Sequence, residues 1–225
     1  MIGLHYNNLI FNLERSIEKT DELLTNVIPA RVAERLKQGE EIADSYNEVS
    51  VLFADLVGFT ELTQSLVARR VVSTLNDVFS GFDAIALKYK VEKVKTIGDG
   101  YMAVAGLFDW TEDHAEALVR MATEMHQSIA RYNQETGHEL GLRIGINSGP
   151  VIAGVIGTSR FLYDMWGDTV NTASRMESSG VPGRTQVTEK AHDLLKQKFT
   201  FEEREPMEVK GKGVMRTFLL LGERA

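Results

Sequence analysis

Apolar residues recur along the chain in three distinct rhythms. Tyr6, Ile10, Leu13, Ile17, Thr20, Leu24 and Val27 alternate spacings of four and three, with charged or amide residues such as Asn12, Glu14, Arg15 and Glu18 between them. That seam of about three heptads fits a short coiled coil; the alternative is an amphipathic helix lying on its own domain. Pro29 ends or bends the helix, and Arg31 to Lys37 predict a second short one closed by Gly39. Val49 to Ala54 reads as a buried strand. A helical stretch follows from about Thr60 to Tyr89, with Val71, Val72, Leu75, Val78, Phe79, Phe82 and Ile85 on one face. Lys93–Thr96 and Tyr101–Ala105 flank Ile97-Gly98-Asp99-Gly100, which predicts a β-hairpin.

Further on, Thr111 is placed to cap a helix with Leu118, Met121, Ala122, Met125 and Ile129 inward and Gly137 at its end. Leu142–Asn147 is the next strand, and Val151–Thr158 continues the sheet after Ser148-Gly149-Pro150. The order is βαββαβ, which predicts an α+β fold: a ferredoxin-like palm with its helices on one sheet face. A C-terminal α/β extension adds helices near 168–179 and 188–197 and strands near 185–188, 199–209 and 216–221. Residues 1–38 therefore read as a helical connector, and residues 39–225 as one domain.

Composition narrows the chemistry. With no cysteine among 225 residues, neither a disulfide framework nor a thiolate zinc site is available, and the five histidines are scattered. A net charge of -7 argues against a general nucleic-acid surface, so any phosphate must be met by locally placed cations. No apolar run approaches the ~18 residues of a membrane span, and no signal-peptide pattern opens the chain. The expectation is a soluble, cytoplasmic protein, or the cytoplasmic part of a membrane-bound one.

Two aspartates stand in tight strand-end turns beside glycine: Asp55 before Leu56-Val57-Gly58-Phe59-Thr60, and Asp99 between Gly98 and Gly100. Two carboxylates brought together by neighbouring strands suit hard divalent cations and a polyphosphate. Arg143 is a lone cation in a strand of small and apolar residues. Asn171 and Arg175 are four apart and share a helix face, an arrangement fitted to a ribose and a reacting phosphate. Spacing alone also describes a solvated polar face. Lys210, beside Gly211, is a point charge that reads by itself as an exposed turn lysine.

Five motifs in order carry a resemblance. Phe53-Ala54-Asp55-Leu56-Val57-Gly58-Phe59-Thr60, Lys95-Thr96-Ile97-Gly98-Asp99, Tyr163-Asp164-Met165-Trp166-Gly167, Asn171 through Arg175, and Val209-Lys210-Gly211-Lys212-Gly213 resemble the catalytic domain of class III adenylate and guanylate cyclases. The likeness runs from about Glu48 to Leu221. The segment from Leu23 to Leu36 resembles the helical connector that precedes many such domains.

The resemblance implies a role for each matching position. Asp55 and Asp99 match the metal-binding acids, with the Leu56 carbonyl completing the set for two divalent cations, Mg²⁺ or Mn²⁺. The amides of Val57, Gly58, Phe59 and Thr60 match the turn that cradles the β- and γ-phosphates, and Arg143 and Lys210 the phosphate-contacting cations. Asn171 matches the ribose-orienting residue, Arg175 the one that stabilises the α-phosphate in the transition state, and Lys95 with Asp164 the purine-reading pair. Lysine donates to adenine N1 and aspartate accepts from the N6 amine, whereas guanine presents the reverse pattern. ATP is therefore the expected substrate and cyclic AMP with pyrophosphate the products. A guanylate or dual-specificity cyclase, or a non-catalytic nucleotide-binding dimerisation domain, is the alternative. In the family the metal acids come from one subunit and the purine and transition-state residues from the other. A head-to-tail homodimer tethered by the N-terminal heptads is thus expected. A seam that begins almost at Met1 also points to a fragment with an upstream sensor or membrane segment.

Overall fold

The computed structural model describes residues 2–108, 113–157 and 161–224; of residues 2–10, 12 and 13 it describes the backbone alone. In chain order the elements are α1 (Ile2–Thr25), α2 (Ala30–Lys37), β1 (Ala43–Val57), α3 (Phe59–Ser65), α4 (Ala68–Lys88), β2 (Glu92–Ile97), β3 (Gly100–Ala105), α5 (His114–Thr136) and β4 (Gly141–Ile156). There follow β5 (Leu162–Trp166), α6 (Asp168–Ser178), β6 (Thr185–Thr188), α7 (Glu189–Leu195), β7 (Phe199–Glu203), β8 (Met207–Val209), β9 (Gly213–Met215) and β10 (Thr217–Glu223). The chain forms two compact units, one of residues 1–44 with 154–163 and the other of residues 45–153 with 164–225.

In the smaller unit, α1 and α2 are joined by the ion pair of Lys37 with Asp21 at 2.5 Å. Arg35 of α2 donates to Glu40 and, through both terminal nitrogens, to Asp44. Of the expected heptad positions, Ile17, Thr20 and Val27 are exposed and Leu24 is half-buried. The side chains of Tyr6, Ile10 and Leu13 lie outside the described residues, as do Thr111 and Thr158.

The larger unit is built on one mixed sheet of order β2-β3-β1-β4-β6-β10-β7, with β5 pairing β4 at one side. Its first four strands have the ferredoxin-like order expected from βαββαβ, and β6, β10 and β7 extend them. Period-two alternation sorts the side chains. Leu52, Ala54 and Leu56 of β1, Tyr101, Ala103 and Ala105 of β3, and Leu142, Ile144 and Ile146 of β4 face the core shared with α4 and α5. Asp55, Arg143 and Gly145 therefore face the other way. Tyr101 packs on Phe79 and Phe82, with ring centroids 5.8 and 5.6 Å away, and donates to Asp83 at 2.8 Å. Each such aromatic pair adds about 0.5–1.5 kcal/mol beyond its buried area, so the start of β3 is firmly seated.

Four local expectations change. The stretch 60–89 is two helices, parted where Leu66 and Val67 are extended (ψ 147° and 149°); no glycine or proline marks that break. Val72 is 66% exposed, because on a 100° wheel it cannot share a face with Val71, which packs on the core. Strand β4 runs unbroken through Pro150, which lies beyond the β6 pairing of Ile144–Ile146, so its missing N–H costs no bond on that side. Residues 162–166, expected only as a motif, form β5. Gly137 closes α5 in the left-handed conformation, as expected (φ 73°). Among the described residues no helix is long and apolar enough to cross a membrane.

Candidate functional site

Strands β1 and β3 pair antiparallel with Asp55 opposite Gly100, and β2 and β3 pair with Ile97 opposite Gly100. That register leaves Gly98-Asp99 as a two-residue turn, with Gly98 at φ 62° supplying the positive angle the first turn position requires. Asp99 is thereby brought beside Asp55. The two carboxylates interact electrostatically, and burial first, then the Asp99 charge, pushes the Asp55 carboxyl above its usual range, opposed by Arg143. Arg143 Nη2 donates to Asp55 Oδ2 at 3.2 Å.

Gly58, left-handed at φ 86°, ends the strand and opens α3, whose first amides have no acceptor within the helix. Val57 through Thr60 thus sit immediately after the first carboxylate.

The second cluster is carried by β2 and β5. Phe53, Met102 and Lys95 form a cross-strand row on the face that carries Asp55. A register shift between Lys93 and Lys95 divides the two lysines: Lys93 pairs with Asp83, while Lys95 Nζ meets Asp164 Oδ2 at 2.5 Å. The Asp164 side chain is 10% exposed and is also fixed by the Met165 amide at 2.8 Å. A carboxylate that enclosed needs its cation, so the pair is preformed.

The same sheet face carries α6. A methyl on Gly145 would lie 2.6 Å from the Ala173 carbonyl oxygen and closer still to the Met176–Glu177 peptide, so this glycine permits helix backbone to rest directly on β4. Asn147 Nδ2 donates to the Thr169 carbonyl at 3.1 Å, and Gln186 Nε2 to that of Met176 at 3.1 Å, fastening both ends of the helix. Thr169, Thr172, Ala173 and Met176 are buried, whereas Asn171 and Arg175 point to solvent and pair with no described side chain. Lys210 is exposed in the turn between β8 and β9; its neighbour Lys212 pairs with Asp168 at the start of α6.

The site residues therefore fall into two sets in one chain: Asp55, Asp99 and Arg143, and Lys95 with Asp164, beside the solvent-facing Asn171 and Arg175. Among the described residues no hydrogen bond or ion pair joins the two sets. Reasoning from the sequence missed Glu177, whose Oε1 accepts from Arg143 Nε at 2.7 Å. Burial raises its carboxyl, and the Arg143 bond opposes that shift. The available signal was an acid four residues after the sheet-facing Ala173, at the edge of the buried stripe.

Among the described residues no three or more acidic, histidine or cysteine side chains gather to hold a metal. Two adjacent carboxylates beside a strand-end carbonyl nevertheless fit a cation whose shell a phosphate completes.

The family profile described as adenylate and guanylate cyclase catalytic domain matches residues 41–222. An adenylate cyclase of Mycobacterium tuberculosis is 44% identical over 214 residues, which are 94% of this chain and 48% of that protein. The chain thus spans about half the length of that relative. The guanylate cyclase domain of RhGC from Catenaria anguillulae, solved with GTP, superposes with a TM-score of 0.78 at 38% identity, covering 80% of this chain and all of that one. The adenylyl cyclase CyaB from P. aeruginosa gives 0.77 at 28% identity, covering 81% and 97%. Family members of this kind use divalent metal ions. The chain belongs to the adenylate and guanylate cyclase catalytic domain family.

Proposed function

We propose that this domain is an adenylate cyclase that converts ATP to 3′,5′-cyclic AMP and pyrophosphate. The observation that carries the reading is the preformed Lys95–Asp164 pair. The ammonium donates to adenine N1 and the carboxylate accepts from the N6 amine; guanine, with O6 and N1–H, would leave both groups facing the wrong partner. A site whose polar groups a wrong base leaves unpaired discriminates by about 10⁴-fold or more.

In the reaction the 3′-oxygen attacks the α-phosphorus in line, the bond to the pyrophosphate oxygen breaks, and the 3′-hydroxyl proton passes to water or to a substrate phosphate. No side chain of the site stands as an obvious base. Asp55, Asp99 and the Leu56 carbonyl would hold two cations, Mg²⁺ or Mn²⁺, which when bound neutralise the triphosphate and acidify the 3′-hydroxyl. Arg143, Lys210 and the Val57–Thr60 amides bind the β- and γ-phosphates. Asn171 orients the ribose, and Arg175 meets charge that grows only in the transition state, so its loss lowers turnover more than apparent affinity.

Each chain carries both sets of residues, and among the described residues no hydrogen bond or ion pair joins Asp55, Asp99 or Arg143 to Lys95, Asp164, Asn171 or Arg175, which supports sites shared across a head-to-tail homodimer. The exposed seam positions Ile17, Thr20 and Val27 support a coiled-coil tether along the first helix of the 1–38 connector, ahead of a catalytic domain from residue 39.

The test is nucleotide turnover at several protein concentrations, with ATP and GTP compared under Mg²⁺ and Mn²⁺. Cyclic AMP that rises faster than linearly with protein is expected. Cyclic GMP as the main product would overturn the Lys95–Asp164 argument, and no product from a demonstrated dimer would favour a binding module.

A further inference from the structure

Arg143 stands on β4 between acids from two other elements. Its Nη2 reaches Asp55 Oδ2 on β1 at 3.2 Å, and its Nε reaches Glu177 Oε1 on α6 at 2.7 Å. Side-chain exposure is 32% for Asp55, 25% for Arg143 and 13% for Glu177. The most enclosed member of the trio is thus the acid on α6, and among the described residues Arg143 is its one cationic partner. A carboxylate so enclosed is costly to leave unpaired, whereas Asp55 retains partial solvation. The guanidinium is accordingly held more tightly by the helix than by the strand. It touches one oxygen of Asp55 and leaves the other without a cation.

We infer that Glu177 positions Arg143, holding the guanidinium back from Asp55 so that the aspartate remains able to take a divalent cation. This rests on the reading of Asp55 as a metal ligand. Arg143 is a competitor for Asp55 as well as a phosphate contact, because a guanidinium and a metal ion seek the same carboxylate oxygens. With glutamine at position 177, Asp55 is, among the described residues, the one acid still paired with Arg143, and the planar fork is free to engage both of its oxygens. An incoming cation must then displace that pair. Glu177 acts on the metal through another side chain, and it ties the helix carrying Asn171 and Arg175 to the carboxylates on β1 and the β2–β3 turn.

A simple long-range effect of the Glu177 charge would also favour cation binding, and the two are separable. If Glu177 acts by positioning, its effect requires Arg143; if it acts as a bare charge, it does not. The experiment is a Mn²⁺ titration followed by electron paramagnetic resonance with 3′-deoxy-ATP, which lacks the attacking hydroxyl. It is run on the wild-type chain, Glu177→Gln, Arg143→Ala and the double variant. Glu177→Gln is expected to weaken Mn²⁺ binding about tenfold, the lower range for loss of a residue that orients a metal ligand. In the Arg143→Ala background the same change should cost less than about twofold, since coupled residues are non-additive. Equal losses in both backgrounds, or no loss in either, overturn the inference while leaving the metal assignment intact. No Mn²⁺ uptake by the wild-type chain overturns the metal assignment and the inference with it. Should Glu177→Gln fail to fold, Glu177→Asp keeps the charge but shortens its reach. It should weaken Mn²⁺ binding by a smaller factor, again only where Arg143 is present.

Discussion

Two histidines of α5 sit where a positive charge is unwelcome. His126 bonds the buried Thr185 hydroxyl at 3.1 Å, and burial, with Arg184 adding to it, holds its pKa down to about 4 against 6.5. His114 bonds Ser50 at 2.8 Å and is also held below its usual range, by burial first; Lys190 adds to this while Glu48 and Asp113 oppose it. Between pH 6.5 and about 4 the unfolded chain takes up a proton at His126 that the folded chain refuses, so stability is lost as pH falls through that window. The linkage amounts to about 2 kcal/mol between pH 7 and pH 5 for His126. Denaturant midpoints of the wild-type and His126→Gln chains at those two pH values should show it: glutamine keeps a hydrogen-bonding group for Thr185 and cannot titrate. A variant that retained the full pH slope would assign the acid sensitivity elsewhere, and His114 ensures that some slope remains.

At the scale of elements, the placement of α6 depends on one missing methyl group. Gly145 lies under the Ala173 carbonyl and the Met176–Glu177 peptide, so Gly145→Ala has to lift the helix or distort β4. Overpacking of this kind costs about 1–3 kcal/mol. With Asn171 and Arg175 displaced, turnover should fall further than apparent ATP affinity does, and because Glu177 moves with the same helix, Mn²⁺ binding should weaken as well; an unchanged kcat would show that the helix is not held by this contact. The strands, the Gly98-Asp99 turn and the capping Gly137 were legible because period-two alternation and glycine between apolar runs are local signals. The seat of α6 was not. In sequence Gly145 merely weakens a strand, and only the structure shows the backbone that lies on it. Glu177 was missed for the same reason, since its partner Arg143 is 34 residues away. The break at Leu66–Val67 escaped because no residue there opposes helix, and Pro150 was read as a stop because the extent of the β6 pairing is not a local property. Lys95 and Asp164, 69 positions apart, are expected as a pair only through the family resemblance, and they fold to a 2.5 Å contact that no periodicity encodes.

On the scale of the whole molecule, the proposed shared site turns on how the two sets of residues in one chain meet those of a second. Each chain presents a carboxylate set (Asp55, Asp99, Arg143) and a lysine–aspartate pair (Lys95, Asp164), proposed to read the base, beside the outward-facing Asn171 and Arg175. A head-to-tail pair of chains would bring the first set of one against the second set of the other, twice, by two-fold symmetry. That arrangement makes a sharp prediction for mixed dimers. Asp55→Ala chains lack the proposed metal ligand in the set they contribute to one site, and Arg175→Ala chains lack the proposed transition-state cation in the other, so each homodimer has two defective sites and should be nearly inactive. In a heterodimer both lesions fall in the same site and the opposite site is intact. Random mixing of equal amounts places half of the chains in heterodimers, each with one of its two sites restored, so turnover should recover to about a quarter of wild type at equal total protein, the statistical outcome for a closed two-fold assembly. Recovery should also vanish on dilution below the dimer dissociation constant. If mixing restores nothing while crosslinking shows heterodimers present, each site is built within a single chain, and the solvent-facing Asn171 and Arg175 would have to reach their own Asp55 by a movement of α6 away from Gly145.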